Sequence, residues 1–170
     1  MGRVKMAPAG RRLGATSTLT KISTTFGRSS NALSKFERVM RNVIQQSVTF
    51  PATAHTLFEM YITPAGNEAI TGAKVIIGAE KGADFRAFDG MLTGSILAVV
   101  RPTLIVQSWR SMKFKPDDSD STLVLTFSPE EDAGRIDLVH LDVPDHDYDG
   151  VNQGWEEHYW IPWRRYLENR

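Results

Sequence analysis

One stretch of the sequence spaces its carboxylates as a metal-binding loop would. Residues 145–156 have acids at positions 1, 3 and 5, Gly150 at position 6 and Glu156 at position 12. Oxygen ligands at this spacing wrap calcium in EF-hand loops. Such a loop follows a helix, however, whereas residues 135–143 have the pattern of a strand, and the usually apolar position 8 is Asn152. We therefore favour an acidic loop beside the positive end of the next helix, and we predict no metal and no cofactor.

The four histidines, His55, His140, His146 and His158, lack a metal-binding spacing such as i, i+4 on one helix. His140 is the most informative of the four. Together with Ile136 and Leu138 it occupies every second position of a predicted strand, so the three residues share one face. It would then lie inside the domain. Two interpretations stay open: a polar anchor for a ligand, or a core histidine with its hydrogen bonds satisfied.

Catalysis would require an acid or base beside the substrate, with a partner that tunes its pKa. The candidates are His140, Glu59, Glu68 and Arg110, which are scattered without a recognised catalytic spacing. The sequence has no glycine-rich phosphate loop, nucleophile elbow or zinc signature. We predict that the protein is not an enzyme.

The first elements that would position these residues are a strand and two short helices. Residues 43–50 alternate as a half-buried strand, and Thr53 is a suitable cap for a helix whose apolar residues are spaced i, i+3, i+4, i+7. Thr63 and Pro64 predict the start of a second helix, and Gly72 predicts its end.

A series of strands separated by turn residues follows. Its predicted strands cover residues 74–77, 84–88, 91–100, 103–109, 121–127 and 135–143. Asp89-Gly90 is a strong hairpin signal. The short turns predict an antiparallel meander of about six strands after the first.

The C-terminal segment predicts one long helix with an aromatic stripe. Trp155, Tyr159 and Trp163 recur every four residues, and Pro162 predicts a bend near residues 158–162. Together these elements predict an α+β helix-grip fold, in which a curved sheet is covered by the closing helix.

A helix laid on a curved sheet rarely fills all the space beneath it, and such gaps bind small apolar ligands. The candidate ligand-binding residues alternate onto the sheet face or lie on the aromatic stripe: Trp109, Leu125, Leu138, His140, Trp155, Tyr159 and Trp163. For the stripe, core packing is the competing interpretation. Arg101 and Arg110 are candidates for contact with a protein partner, against the simpler interpretation of solvated cations.

The charge distribution divides the chain at about residue 40. Residues 1–41 hold nine Lys or Arg and one acid, which leaves residues 42–170 with a net charge of −8. An acidic body argues against nucleic acid as a partner. We expect residues 1–39 to be a disordered basic tail, with an organelle transit peptide as the alternative, and residues 40–170 to be the folded domain. The sequence lacks cysteine and long apolar runs, so we expect a cytoplasmic protein with no membrane span.

The body also resembles a known family. Residues 82–90 and 92–94 look like the glycine-punctuated hairpin of the heat-shock protein 90 ATPase activator homologues, and 101–110 like that family's next strand with its Trp-Arg end. Residues 123–127, 143–144 and 154–155 continue the resemblance in order.

The resemblance implies a START-like (SRPBCC) helix-grip fold and two functional classes. The first hypothesis is a non-catalytic domain that holds a small hydrophobic molecule. The alternative is a co-chaperone-like module that stimulates a heat-shock protein 90 ATPase, although this chain has only the tail where eukaryotic activators carry an N-terminal domain. A cyclase- or aromatase-like enzyme is the third hypothesis, with His140 as its main candidate.

Overall fold

Strand β1 (Ile44–Phe50) forms where apolar and polar residues alternate, and its two end residues are buried. The computed structural model describes residues 43–169. The basic tail expected over residues 1–39 therefore lies outside the described residues.

Two short helices follow, each begun by the predicted threonine. In α1 (Ala54–Ile62), the Thr53 side chain accepts a hydrogen bond from the Thr56 amide at 3.1 Å. In α2 (Pro64–Thr71), Thr63 accepts from the Gly66 amide and proline occupies the first turn. Gly72 ends α2 with a φ of 69°, a left-handed conformation that glycine adopts without steric cost. The predicted helix boundaries are confirmed.

Six further strands complete a seven-stranded antiparallel sheet, as predicted. They are β2 (Val75–Ile76), β3 (Asp84–Ala87), β4 (Leu92–Val100), β5 (Leu104–Ser111), β6 (Ser121–Glu130) and β7 (Ala133–Leu141). The strand order is β1-β7-β6-β5-β4-β3-β2, so β1 returns to pair with the last strand and the others form a meander.

The hairpin between β3 and β4 lies at the predicted Asp89-Gly90 turn, within a short 3₁₀ segment (Phe88–Gly90). A few residues later β4 approaches β5 very closely. A Cβ on Gly94 would lie 1.9 Å from the Ser108 carbonyl oxygen, so this position requires glycine.

The closing helix, α3, covers residues 148–168 and changes geometry in its middle. Two α-helical segments, Tyr148–Trp155 and Ile161–Glu168, flank a π-helical turn at Glu156–Trp160. In that turn the Ile161 amide donates to the Glu156 carbonyl, five residues back. Pro162 follows directly and has no amide hydrogen to donate, so the regular α-helical ladder is interrupted where the proline predicted.

The core lies between α3, α1 and the concave face of the sheet. Alternate residues of β6 and β7 point into it, as the period-2 pattern predicted, and they are almost completely buried: Leu123, Leu125, Phe127, Ile136 and Leu138. Among residues 43–169, no helix is both long and apolar enough to cross a bilayer.

A groove beside the C-terminal helix as the candidate site

An open groove of about 380 Å³ runs between one flank of α3 and the ends of β4 and β5. Leu92, Trp109 and Ser111 form its sheet wall, and Val151, Trp155 and Tyr159 form its helix wall. Apart from Ser111, these side chains are aromatic or aliphatic. The groove is thus a concave, mainly apolar surface of the kind that binds small molecules.

The helix wall of the groove follows from the four-residue spacing of apolar side chains along α3. Val151, Trp155 and Tyr159 recur every four residues, which places them on one face of α3. Sequence analysis found the last two and missed Val151, because it interpreted residues 145–156 as an acidic loop and began the stripe at Trp155, whereas the helix begins at Tyr148. Extending the i, i+4 pattern by one step back would have found it.

The β3–β4 turn closes one end of the groove with an aromatic ring. Phe88 has a φ of 52° and Asp89 a φ of 55°, a left-handed conformation that is unusual for residues with a side chain. The Phe88 ring packs edge-on against Tyr159 at 6.1 Å and lies 5.7 Å from the His158 ring. The Asp89-Gly90 signal located this turn, but only the tertiary structure brings Phe88 to the helix.

His140 lies next to the groove, in a sealed hydrogen-bonded cluster. It is 0% exposed, and its ring packs edge-on against Trp109 at 4.8 Å. Trp155 Nε1 donates to His140 Nδ1 at 3.2 Å, and His140 Nε2 lies 2.8 Å from Ser121 Oγ. Ser121 Oγ donates in turn to the Trp109 carbonyl at 2.7 Å.

The donors in this cluster assign the protonation state of His140. An indole N–H can only donate, so Nδ1 is an acceptor and the proton is on Nε2, where it is donated to Ser121. Burial lowers the pKa of His140 to about 3, which agrees with a neutral ring. With both nitrogens engaged and no part of the residue exposed, His140 does not reach a ligand in the groove as an acid or a base.

A second buried polar contact lies on the other side of Tyr159. Tyr61 OH donates to Gln107 Oε1 at 3.1 Å, and the rings of Tyr61 and Tyr159 are 6.4 Å apart. Burial raises the pKa of both phenols, and for Tyr61 the neighbouring Tyr159 adds to the effect. Both therefore remain neutral and able to donate hydrogen bonds.

Polar atoms of the groove residues are less well satisfied. Within residues 43–169, seven buried side-chain polar atoms have no hydrogen-bond partner, and three of the seven belong to groove residues: Trp109 Nε1, Tyr159 OH and Asp147 Oδ2. Unpaired buried polar atoms are rare in folded proteins, and an ordered water or ion is a common partner for such an atom.

The structure places the predicted ligand-binding residues in two groups. Trp109, Trp155 and Tyr159 line the groove. Leu125, Leu138 and His140 do not, because α3 and α1 pack directly over this part of the sheet and leave these residues at most 1% exposed. Trp163 is also buried in the core, where it stacks on Phe50 at 5.2 Å. All three stripe residues are at most 3% exposed and belong to the core, and Trp155 and Tyr159 also border the groove.

The two arginines proposed as partner contacts are engaged within the domain. Arg101 pairs with Glu59, and its guanidinium lies 5.5 Å from the Phe58 ring centre. Arg110 donates to the Asp120 carboxylate at 2.9 Å and to the Lys115 carbonyl at 2.6 Å, which fixes the loop between β5 and β6. Both have local structural roles, and half of the Arg101 side chain remains exposed.

The other candidate sites are not assembled in the structure. The calcium-like pattern at residues 145–156 is helical from Tyr148 onward, so its carboxylates cannot wrap one ion. Residues 43–169 contain no group of three or more His, Asp or Glu side chains placed to hold a metal. Glu59 pairs with Arg101, and Glu68 accepts from the Val75 amide at 3.2 Å, so these two carboxylates are tied to structural contacts.

Comparison with known sequences identifies related proteins. The model of the family described as Activator of Hsp90 ATPase homolog 1-like protein matches residues 51–161. The human protein named Activator of 90 kDa heat shock protein ATPase homolog 1 is 26% identical over 111 residues, which are 65% of this chain and 32% of the human protein. A mouse homolog 2 is 24% identical over 56% of this chain and 28% of its own length. The chain thus spans about a third of the curated relatives it matches.

Solved structures share the fold at lower sequence identity. An HSP90 activator from Plasmodium falciparum superposes with a TM-score of 0.64 and 18% identity, over 70% of this chain and 91% of the other. CalU16 from Micromonospora echinospora superposes with a TM-score of 0.62 and 20% identity, over 74% of this chain and 75% of the other. These similarities establish the helix-grip fold.

Proposed function

The chain belongs to the activator of Hsp90 ATPase homolog 1-like family, and we propose that it is a non-catalytic binding domain whose groove holds a small hydrophobic molecule. The observation that carries this proposal is the groove itself: about 380 Å³ of open space walled by Trp109, Trp155 and Tyr159. Each of these three rings is at most 4% exposed, so much of the apolar surface open to a ligand belongs to other lining residues such as Met91 and Met112. Burial of apolar surface is the main source of affinity in such sites.

Two polar atoms of the walls also lack hydrogen-bond partners in the described part of the chain. Trp109 Nε1 and Tyr159 OH have no partner within residues 43–169, although the neighbouring polar atoms of His140 and Ser121 are all paired. Both atoms are shielded from solvent, so a ligand in the groove would pair with them only after the neighbouring side chains move.

Gly154 offers a test that separates binding from folding. It lies on the helix wall, and a Cβ added there would meet only His158 Cδ2, at 3.8 Å, among the described residues. Gly154→Leu should therefore fill the groove without straining the helix. Leucine is also a better helix former than glycine.

The experiment uses the full chain and the uncharged fluorescent probe N-phenyl-1-naphthylamine. We expect binding to the wild type, and a loss of affinity of about tenfold or more in Gly154→Leu at unchanged or raised thermal stability. Glu168→Leu is the matched control, since it adds the same side chain on an exposed part of α3 outside the groove. Equal binding by Gly154→Leu and wild type, or no binding by either, would reject the proposal.

A second candidate function is stimulation of a heat-shock protein 90 ATPase. It is favoured by the names of the curated relatives and by two exposed methionines at the mouth of the groove, Met91 and Met112, which are 48% and 70% exposed. Exposed methionines are adaptable contact residues in protein interfaces. In a reconstituted ATPase assay, this function predicts stimulation by the full chain and a reduced effect of Met112→Ser. An unchanged ATPase rate at saturating protein would exclude it.

A cyclase- or aromatase-like enzyme is also compatible with the fold, but no described contact favours it. Its main candidate residue, His140, is held neutral and outside the groove by Trp155 and Ser121. We therefore assign no catalytic step to the domain.

A further inference from the structure

Asp147 is the charged residue of the groove wall that is most withdrawn from solvent. Its side chain is 5% exposed, whereas that of Lys113 is 70% exposed, and Glu157 and His158 are also exposed. Lys113 Nζ lies 3.8 Å from Asp147 Oδ1, beyond hydrogen-bonding distance. Asp147 Oδ2 has no partner in the described part of the chain.

A role as a helix cap does not explain why Asp147 is buried. It directly precedes α3, yet its side chain makes no capping hydrogen bond with residues of the described chain. A buried carboxylate that lacks a donor is unfavourable, so such a group is usually retained where it meets a ligand or a cation.

The space around this carboxylate suits an ammonium group. A Cβ on Gly150 would lie 3.0 Å from Asp147 Oδ1 and 3.6 Å from Lys113 Nζ, so the glycine keeps this space free. The Lys113 ammonium already occupies the approach to Asp147. Because its side chain is mostly exposed, it can withdraw into water when another cation takes its place.

The remaining walls favour a cation with an apolar body. The rings of Trp109, Trp155 and Tyr159 line the same groove, and aromatic faces attract cations as well as apolar groups. A carboxylate ligand would be repelled by Asp147, and an uncharged apolar ligand would leave Oδ2 unpaired.

From these contacts we propose that the groove selects an organic amine: its ammonium group binds Asp147 and its aromatic or aliphatic body lies against Trp109, Trp155 and Tyr159. This inference rests on the proposed ligand-binding function. It adds that the ligand carries a positive charge on an apolar body, which the family resemblance does not indicate.

The test compares three molecules with the same indole ring and side chains of similar size: tryptamine, tryptophol and indoleacetate. With the full chain in isothermal titration calorimetry, we expect tryptamine to bind about tenfold more tightly than tryptophol, the effect of one charge-assisted hydrogen bond. Indoleacetate should bind more weakly than either.

Two variants report on the carboxylate independently. Asp147→Asn keeps the size of the side chain and should bind tryptamine and tryptophol equally. Lys113→Gln removes the competing ammonium from an exposed position, and so should strengthen tryptamine binding without affecting the fold. Lys113→Gln also keeps the test informative if Asp147→Asn fails to fold.

The outcomes distinguish this inference from the function on which it rests. If N-phenyl-1-naphthylamine binds but tryptamine shows no advantage over tryptophol, the groove binds ligands and the inferred selectivity is wrong. An equal tryptamine affinity in wild type and Lys113→Gln would also count against Asp147 as the ammonium site. If neither the uncharged probe nor any indole compound binds, the proposed function itself fails.

Discussion

The His140 cluster and the groove lie side by side under the same helix, yet they differ in whether their polar atoms have hydrogen-bond partners. In the cluster, both ring nitrogens of His140 and the Ser121 hydroxyl have partners between 2.7 and 3.2 Å away. In the groove walls, Trp109 Nε1, Tyr159 OH and Asp147 Oδ2 have none within residues 43–169. The first arrangement stabilises the fold, and the second leaves buried polar atoms whose hydrogen bonds are not made within the described residues.

Two tryptophans connect these regions. Trp155 donates its indole N–H to His140, and Trp109 packs edge-on against the same imidazole, while both rings also line the groove. The cluster therefore fixes the orientation of two rings of the groove wall. In the proposed binding function, the buried histidine would orient the walls rather than contact the ligand.

The largest expected effect is on the sealed cluster. His140→Ala would leave a cavity and would unpair Trp155 Nε1 and Ser121, so we expect the free energy of unfolding to fall by about 3 kcal/mol. Urea denaturation measures this directly. A loss below about 1 kcal/mol would mean that the cluster contributes little to stability.

Acid pH should weaken the same cluster progressively. The unfolded chain binds a proton at His140 near pH 6.5, whereas the folded protein does so only near pH 3, so stability is present above pH 6.5 and falls below it. The expected contribution to the slope is about 1.4 kcal/mol per pH unit between these values.

The His140→Gln variant, which cannot titrate at this position, should lack that part of the slope. Carboxylates elsewhere titrate in both proteins, so the difference between the two curves isolates His140. Nitrogen NMR should show a neutral ring protonated on Nε2 at pH 5, and a protonated imidazolium at that pH would contradict the assignment.

On the groove side, removing a glycine should stabilise the protein. Gly154→Ala has room for its methyl group, and we expect a gain of about 0.5–1 kcal/mol from the improved helix propensity. Thermal unfolding is the measurement. Gly94→Ala is the contrasting control, since its Cβ would lie 1.9 Å from the Ser108 carbonyl oxygen and should destabilise the sheet strongly.

The smallest effect is expected far from both regions, at Arg101. Half of its side chain is exposed, so its pair with Glu59 is screened by water, and Arg101→Ala should cost about 0.5 kcal/mol. A double-mutant cycle with Glu59→Ala measures the pair itself. A coupling well above about 1 kcal/mol would show that the pair with Glu59, or the stacking on Phe58, matters more than its exposure indicates.

Much of the fold was predictable because its signals are local. Thr53, Thr63, Pro64 and Gly72 mark the helix boundaries through backbone hydrogen bonds and dihedral preferences that involve only a few neighbouring residues. The alternation of Ile136, Leu138 and His140 indicated the buried face of β7 in the same way. The resemblance to a family implied the same helix-grip arrangement.

The site was only partly predictable, because the same stripe of α3 has two environments. Spacing alone makes Trp155, Tyr159 and Trp163 equivalent, yet Trp163 stacks on Phe50 in the core while the other two border the groove. The calcium-like spacing, which sequence analysis did not accept as a metal site, overlaps the start of the helix at Tyr148. Periodicity reports which residues face the interior, but not whether the space opposite them is filled.

The sequence by itself therefore determined the elements, the caps of the two short helices and the faces that would be buried, since these depend on short-range hydrogen bonding and on contact with or exclusion from water. Only the tertiary structure decided where a groove remained and that Phe88, Met112 and Asp147 would meet there. A groove is the volume that packing leaves unfilled, and that volume depends on residues far apart in the chain.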